Sequence, residues 1–263
     1  MLREVVRIVR EASLIMLERD FSVKTKGRCE NIVTSSDVAV QDFLRERLSS
    51  LLPGSGFICE ENDIVDSAHK YVWIIDPIDG TCNFSRGIPE CSISVALKKD
   101  DAVVLGVVYN PYHKELFTAV KGRGARRNGH LIHVSRRPFR DGLLCTALCV
   151  YRKEYATICS NIIGEAYQKC NDVRRFGSAA LELCYLAEGQ CDLYFEYRVF
   201  PWDYAAASLV LQEAGGILTG RTGEALTYDR PTILVGANNA ANHTALSDIV
   251  TRHTSENPYE NEV

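Results

Sequence analysis

Trp73-Ile74-Ile75-Asp76-Pro77-Ile78-Asp79-Gly80-Thr81-Cys82-Asn83-Phe84 sets the reading of the whole chain. An apolar run from Tyr71 to Ile75 ends abruptly in a carboxylate, which reads as a buried strand whose end presents chemistry. Pro77 breaks the run, Asp79 adds a second carboxylate, and Gly80-Thr81 opens a turn or a helix start. Carboxylate oxygens hold hard cations such as Mg²⁺, and free backbone N–H groups at such a turn bind phosphate. The stretch points to metal-assisted phosphate chemistry, for which the rest of the chain has to supply further ligands.

The totals fit that frame. The 263 residues suit one large or two closely packed domains. A net charge of −4 gives no basic footprint of the kind a nucleic-acid binder carries, so no nucleic-acid partner is expected. No apolar stretch approaches a membrane span, and Met1-Leu2-Arg3-Glu4-Val5 is charged too early for a signal peptide. A cytoplasmic protein is expected, with its ten cysteines reduced and packed in the core, because they lack the Cys-x-x-Cys spacing of zinc sites.

Outward from the central stretch, the first half reads as two helices and a run of strands. Leu2, Val5, Val9, Ala12 and Met16 form one stripe of a helix over residues 1 to 20. Phe21 to Asn31 reads as a loop in which Lys24, Lys26 and Arg28 bunch, either solvated or lying near a phosphate site. A second helix follows with Ser35 or Ser36 as its N-cap, Asp37 in its first turn, and Pro53-Gly54 as its stop. Phe57-Ile58-Cys59 repeats the grammar of the central stretch, a short apolar run ending in Glu60-Glu61. A polar linker leads to Tyr71. After the central stretch, Cys91 to Leu97, Ala102 to Tyr109 and Glu115 to Val120 read as strands, and Asn128-Gly129 as a hairpin turn before Leu131 to Val134. Strands this close together pair antiparallel.

Composition shifts near Ser135 to Asp141, which places a boundary between a domain of residues 1–138 and one of 139–263. The second half alternates strand and helix: strands at 143–150, 173–176, 191–195, 217–218 and 232–235, helices at 153–169, 178–188, 203–214 and 239–250. Alternation implies an α/β layer. The helix at 178–188 presents Ala180, Leu183, Cys184 and Ala187 on one face, and Gly215-Gly216 stops the helix at 203–214. From Thr254 on, the tail is expected to fray. Asp203 opens an otherwise apolar helix, as a cap or as a ligand.

Glu60-Glu61, Asp76-Pro77-Ile78-Asp79-Gly80-Thr81 and Trp202-Asp203-Tyr204-Ala205-Ala206 resemble, in order, the three signatures of the inositol monophosphatase family. Thr34-Ser35-Ser36-Asp37 and Gly177-Ser178-Ala179-Ala180 extend the resemblance over almost the whole chain. It implies an α/β fold layered as an αβαβα sandwich, with a largely antiparallel sheet and two helices in the N-terminal part and an α/β layer in the C-terminal part. It also implies hydrolysis of a small-molecule phosphate monoester with two or three Mg²⁺ ions per site, Mn²⁺ being a possible substitute. By the resemblance, Glu60, Asp76 and the carbonyl of Ile78 hold one ion, and Asp76, Asp79 and Asp203 a second. Some members bind a third ion near Glu60. Thr81, paired with Asp37, orients and helps deprotonate the attacking water, and Gly80 and Thr81 offer backbone N–H groups to the phosphate. A homodimer and lithium sensitivity are implied as well. Independently, four carboxylates gathered without cations would repel one another and raise one another's pKa, and oxygen donors select Mg²⁺ or Mn²⁺ over zinc.

The leaving alcohol is less determined. Glu196 lies seven residues before Asp203, where inositol-specific members place a Glu that binds hydroxyls, and Gly177, Ala179, Asp79 and Asp203 complete the implied contacts. Thr81-Cys82-Asn83-Phe84 resembles the Thr-Thr-Asn-Phe run of those members, with Cys82 in the second position. Inositol 1-phosphate is the expected substrate. Fructose-1,6-bisphosphatase and 3′(2′),5′-bisphosphate nucleotidase are the alternatives within the family, and a non-catalytic metal-binding relative is the alternative outside enzymes. Tyr194, Phe195, Tyr197 and Phe200 read either as core or as a wall for a different ring.

Overall fold

Each strand of the central sheet alternates between two apolar faces, and that alternation builds the layers. The computed structural model describes residues 1–18, 21–25, 32–61, 64–149 and 152–254. In chain order its elements are α1 (Leu2–Leu17), β1 (Val23–Thr25), β2 (Ile32–Thr34), α2 (Ser35–Leu51), β3 (Gly56–Cys59), β4 (Ile64–Asp66), β5 (Tyr71–Asp79), α3 (Thr81–Ser85), β6 (Ser92–Lys99), β7 (Ala102–Asn110), β8 (Glu115–Val120), β9 (Ala125–Arg127), β10 (His130–Leu131) and β11 (Leu143–Ala147). They continue with α4 (Ala156–Tyr167), β12 (Asp172–Arg174), α5 (Ala179–Ala187), β13 (Leu193–Val199), α6 (Pro201–Glu213), β14 (Ile217–Thr219), β15 (Thr232–Ala237) and α7 (Ala240–His253).

The first sheet has the order β10-β9-β8-β7-β6-β5-β3-β4. It is antiparallel except for β3 beside β5, which run parallel. On one face Trp73, Ile75, Val95, Leu97 and Val107 pack against Val5, Val9 and Met16 of α1 and Val40, Leu44 and Leu48 of α2. On the other, Val72, Ile74, Ala96 and Val108 pack against α5 and α6. Period-two burial on both faces is what a covered strand requires. Gly106 of β7 has a packing reason: a Cβ there would sit 2.4 Å from the carbonyl oxygen of Ala206. The helix backbone rests on the sheet, and the small residues Ala205, Ala206 and Ala207, all fully buried, allow it.

The second sheet, β12-β11-β13-β15-β14, lies on the far side of α5 and α6. Cys145, Tyr194 and Leu234 face those helices. Leu193, Phe195 and Val235 face α4 and α7 through Cys159, Ile162, Leu246 and Ile249. The layers are helix pair, sheet, helix pair, sheet, helix pair, which is the sandwich expected. Because α5 lies between two sheets, every residue from Ala180 to Ala187 is buried, not only the single face expected from its sequence.

Several local expectations are corrected. The N-cap of α2 is Thr34, whose hydroxyl accepts from the Asp37 N–H, in place of Ser35 or Ser36. Residues 23–25, within the stretch expected as a loop, form a strand, β1, that pairs antiparallel with β2 at 32–34; Lys26 and Arg28 lie outside the described residues. The polar linker before Tyr71 contains β4, paired on β3. The hairpin turn at Asn128-Gly129 is as expected, both residues having positive φ, but its second strand is only His130–Leu131. Thr254, where the fraying tail was expected to begin, is buried, and its hydroxyl donates to the Val250 carbonyl at 2.8 Å; the rest of that tail, 255–263, lies outside the described residues. No helix among the described residues is long and apolar enough to cross a membrane.

Candidate active site

Two side chains three apart on a regular strand face opposite ways. Asp76 and Asp79 do not, because β5 carries an extra residue between them. Asp76 pairs with Ser94 and Asp79 with Ser92, three steps on β5 against two on β6. Pro77, with no N–H to give to a ladder, sits inside this bulge. Asp76 is 1% exposed, and its Oδ1 accepts the Ile78 N–H at 2.9 Å. Oδ2 of Asp79 accepts from the Ser178 hydroxyl at 2.5 Å and the Ala180 N–H at 2.8 Å, at the N-terminus of α5. Asp203 stands in the first turn of α6, where its Oδ2 accepts the Phe200 N–H at 2.8 Å. So Asp203 caps its helix and also joins the cluster: one carboxylate oxygen from each of Asp76, Asp79 and Asp203 lies within 4.8 Å of the others. Glu60 follows β3, its N–H bonded to the Ile75 carbonyl at 3.3 Å, and lines the same cleft.

The electrostatics follow from this crowding. Burial raises the Asp76 carboxyl well above its ordinary value, and the charges of Glu60, Asp79 and Asp203 raise it further. Asp203 is raised well above its usual range by burial, then by Asp79 and Glu60. Asp79 reaches only about 6, because the hydrogen bonds from Ser178 and Ala180 oppose the burial. A buried set of mutually repelling oxygens fits a divalent cation, which would satisfy all of them together, and its all-oxygen chemistry is that of Mg²⁺ or Mn²⁺.

Asp37 is fully buried and meets the cleft through Thr81. Its Oδ2 accepts from the Thr34 N–H at 2.8 Å and from the Thr34 hydroxyl, which closes the capping box of α2. Its Oδ1 lies 3.3 Å from the Thr81 hydroxyl, which also lies 3.0 Å from the Ile78 carbonyl oxygen. Burial pushes the Asp37 carboxyl up to about 6. Gly80 precedes α3 at a φ of +88°, and a Cβ there would meet the Glu90 carbonyl oxygen at 2.9 Å and that of Gly177 at 3.1 Å, so only glycine fits.

Across the cleft, Glu196 of β13 accepts from the Tyr194 hydroxyl at 2.6 Å, and burial raises its carboxyl to about 7. The strand of chain at Phe176 and Gly177 is clamped: Oε1 of Glu182 accepts their N–H groups at 2.6 and 2.9 Å, and Asn83 donates to the Phe176 carbonyl at 2.7 Å. The cleft has a volume of about 540 Å³ and brings together Glu60, Asp76, Ile78, Asp79, Gly80, Thr81, Gly177, Ala179, Glu196 and Asp203, every residue anticipated for the site except the buried Asp37. Among the lining residues that were not anticipated for the site are Ser178, Glu182, Arg86, Arg175 and Arg198. Ser178 had a legible signal as the N-cap of α5; the others had none. Tyr194, Phe195 and Tyr197 are core side chains and Phe200 stacks on Trp202, so none of the four aromatic residues walls the cleft. The nine described cysteines are free, and only Cys82 among them is exposed.

The sequence pattern of the inositol monophosphatase family matches residues 2–255. The chain belongs to that family. Nus factor SuhB of Escherichia coli (strain K12) is 37% identical over 229 residues, 85% of this chain and 86% of that protein. The structure of extragenic suppressor protein SuhB from Bartonella henselae is similar with a TM-score of 0.88 and 28% identity, over 95% of this chain and 98% of that one. The IMPase of Thermotoga maritima gives 0.86 and 28%, over 96% and 97%. Membership in the inositol monophosphatase family, with an acidic cluster able to hold metal at the expected motifs, supports phosphatase activity on small phosphate esters.

Proposed function

We propose that this protein is a Mg²⁺-dependent phosphate monoester hydrolase whose substrate is inositol 1-phosphate. The observation that carries the reading is the convergence of Asp76, Asp79 and Asp203 within 4.8 Å, in one cleft with Thr81 and Glu196. In this reading Glu60, Asp76 and the Ile78 carbonyl would hold one ion, Asp76, Asp79 and Asp203 a second, and Glu60 would serve a weaker third. Bound Mg²⁺ would supply the positive charge that offsets the ester's negative charge, acidify water and stabilise the leaving oxygen.

The chain's own groups do the rest. Asp37, held by its cap, keeps one oxygen toward the Thr81 hydroxyl. Thr81 can therefore pass its proton toward Asp37 while accepting one from the attacking water, which fixes the water's direction. The N–H groups at the start of α3 have no acceptor within their own helix, and those of Gly80 and Thr81 would be offered to the ester oxygens. Glu196, Gly177, Ala179 and the metal-side carboxylates Asp79 and Asp203 receive the hydroxyls of the alcohol. Residues 1–138 thus act as the unit that supplies most of the metal and phosphate site, and residues 139–263 as the unit that supplies Asp203 and the alcohol contacts. A homodimer, lithium sensitivity and a cytoplasmic location belong to the same reading.

The test is phosphate release from inositol 1-phosphate with and without Mg²⁺. Mg²⁺-dependent turnover is expected. Absence of turnover on this ester, with release from another small phosphate ester, would remove the substrate assignment and leave the hydrolase. No release from any ester would leave a metal-binding relative without catalysis.

A further inference from the structure

Glu182 sits at the start of α5, but its place is not that of an ordinary capping acid. With Ser178 as the N-cap, a capping acid would stand three residues on and reach back to the N-cap itself. Glu182 stands four residues on and reaches past it. Its Oε1 accepts the N–H groups of Phe176 and Gly177 at 2.6 and 2.9 Å, while its own N–H donates to the Ser178 carbonyl at 3.0 Å. The residue is 1% exposed, and its Oε2 is buried with no hydrogen-bond partner among the described residues. A buried acid with one oxygen unserved costs stability, and α5 already has its cap, so neither capping nor stability explains the residue. Burial, and then the charge of Glu196, hold its carboxyl well above the ordinary range, so the neutral acid is the form that accepts the two N–H groups.

What the turn at Phe176–Ser178 carries supplies the reason. Ser178 donates its hydroxyl to Oδ2 of Asp79 at 2.5 Å, and the Ala180 N–H adds a second bond at 2.8 Å. On its other side, Asn83 donates to the Phe176 carbonyl at 2.7 Å. Gly177 has a φ of +85°, and a Cβ there would lie 2.9 Å from Nδ2 of Asn83. The turn is therefore tied to α3 by Asn83 and to α5 by Glu182, and it carries the hydroxyl that holds Asp79. We propose that Glu182 is a positioning residue: through the Phe176–Gly177 turn it fixes the Ser178 hydroxyl, and thereby the direction of the Asp79 carboxylate toward metal. The inference rests on the reading of Asp79 as a metal ligand. Hydrogen-bonded groups behind a ligand set its direction, and their loss costs about 10–100-fold in metal affinity.

The test is Mn²⁺ binding by calorimetry, without substrate, in wild type, E182A, E182Q, S178A and the E182A/S178A double variant, with urea unfolding of each. D79N identifies the ion to be read, as the one whose binding it abolishes. E182A should weaken the Kd of that ion about tenfold. E182Q keeps an accepting oxygen on a neutral side chain and should restore most of the loss. The double variant should bind about as S178A does, because both changes act along one chain of contacts. L183A, a buried change on the same helix, should lower the urea midpoint without moving the Kd, which separates positioning from loss of stability. Should E182A not fold, E182D, one methylene too short to reach the turn, should weaken the Kd in the same direction. A Kd within twofold of wild type in E182A or E182D, an equal loss in L183A, or losses that multiply in the double variant would overturn the proposal. Wild type that binds no Mn²⁺ sensitive to D79N would overturn it together with the reading of Asp79, so the two failures are told apart.

Discussion

Asp79→Asn separates the electrostatics of the cluster from its packing. The Asp79 carboxyl is pushed from 3.8 up to about 6, with burial as the first cause. A folded-state pKa above the unfolded one means that folding favours the protonated acid. The associated stability is present below the unfolded value and is lost as the pH rises through about 6. A rise of that size corresponds to about 3 kcal/mol. Asparagine keeps the shape and cannot ionise. In metal-free protein, the stability of Asp79→Asn relative to wild type should therefore move by about 2–3 kcal/mol in the variant's favour between about pH 4 and about pH 8. Taking the difference between the two pH values cancels the constant cost of trading the Oδ2 acceptor, which serves Ser178 and Ala180, for an amide. Urea unfolding in EDTA at each pH measures it; in a chain of this size the same effect is roughly 6–12 °C in Tm. Saturating Mg²⁺ should stabilise wild type more than the variant, because a ligand stabilises the form that binds it, and the variant should have lost turnover. A stability difference that is the same at both pH values, or wild-type activity in the variant, would refute the reasoning.

Thr81→Ala removes the hydroxyl that lies 3.3 Å from Asp37 and should lower kcat roughly 10²-fold or more, with the melting temperature nearly unchanged because Thr81 is only partly buried; a kcat within fivefold of wild type would exclude the water-directing role. Gly106→Ala places a Cβ 2.4 Å from the Ala206 carbonyl oxygen, which should cost about 1–3 kcal/mol in urea unfolding and, by displacing the helix that carries Asp203, raise the Mg²⁺ concentration for half activity. Unfolding within experimental error of wild type would show that the sheet and α6 are less closely fitted than the distance implies.

Much of the fold is legible in the sequence because it depends on periodicity. The stripe of Val5, Val9, Ala12 and Met16 and the two-faced alternation of Val72 to Ile75 dictate what they touch, and the structure buries them accordingly. The short elements are not legible for the same reason. Three residues of β1, exposed throughout, carry no alternation to detect, and β4, three residues long, sits at the sheet edge where, among the described residues, it pairs with β3 alone. Arg198 escapes a reading by sequence because its place in the cleft comes from a slip in pairing between two strands, and Glu182 because its role is to hold two backbone N–H groups brought up by the fold.

Asp76 and Asp79 show how the family signature and local geometry depend on each other. Regular strand geometry would put these carboxylates on opposite faces, and the bulge at Pro77 is what turns a pattern of residues into a shared site. Asp37 carries the argument further. Capping and catalysis look like rival readings of an acid in the first turn of a helix, yet a carboxylate has two oxygens. Oδ2 is used by the cap and Oδ1 is turned to Thr81. The cap is therefore what holds in place the oxygen turned to Thr81, the one proposed to act in catalysis, and the cost of burying Asp37, visible in its raised carboxyl, is opposed by the hydrogen bonds from Thr34. Asp203 repeats the arrangement at α6, where an oxygen bound to the Phe200 N–H fixes a carboxylate that also reaches the cluster. In both places the helix terminus that the sequence makes easy to recognise is the device that fixes the direction of the functional group.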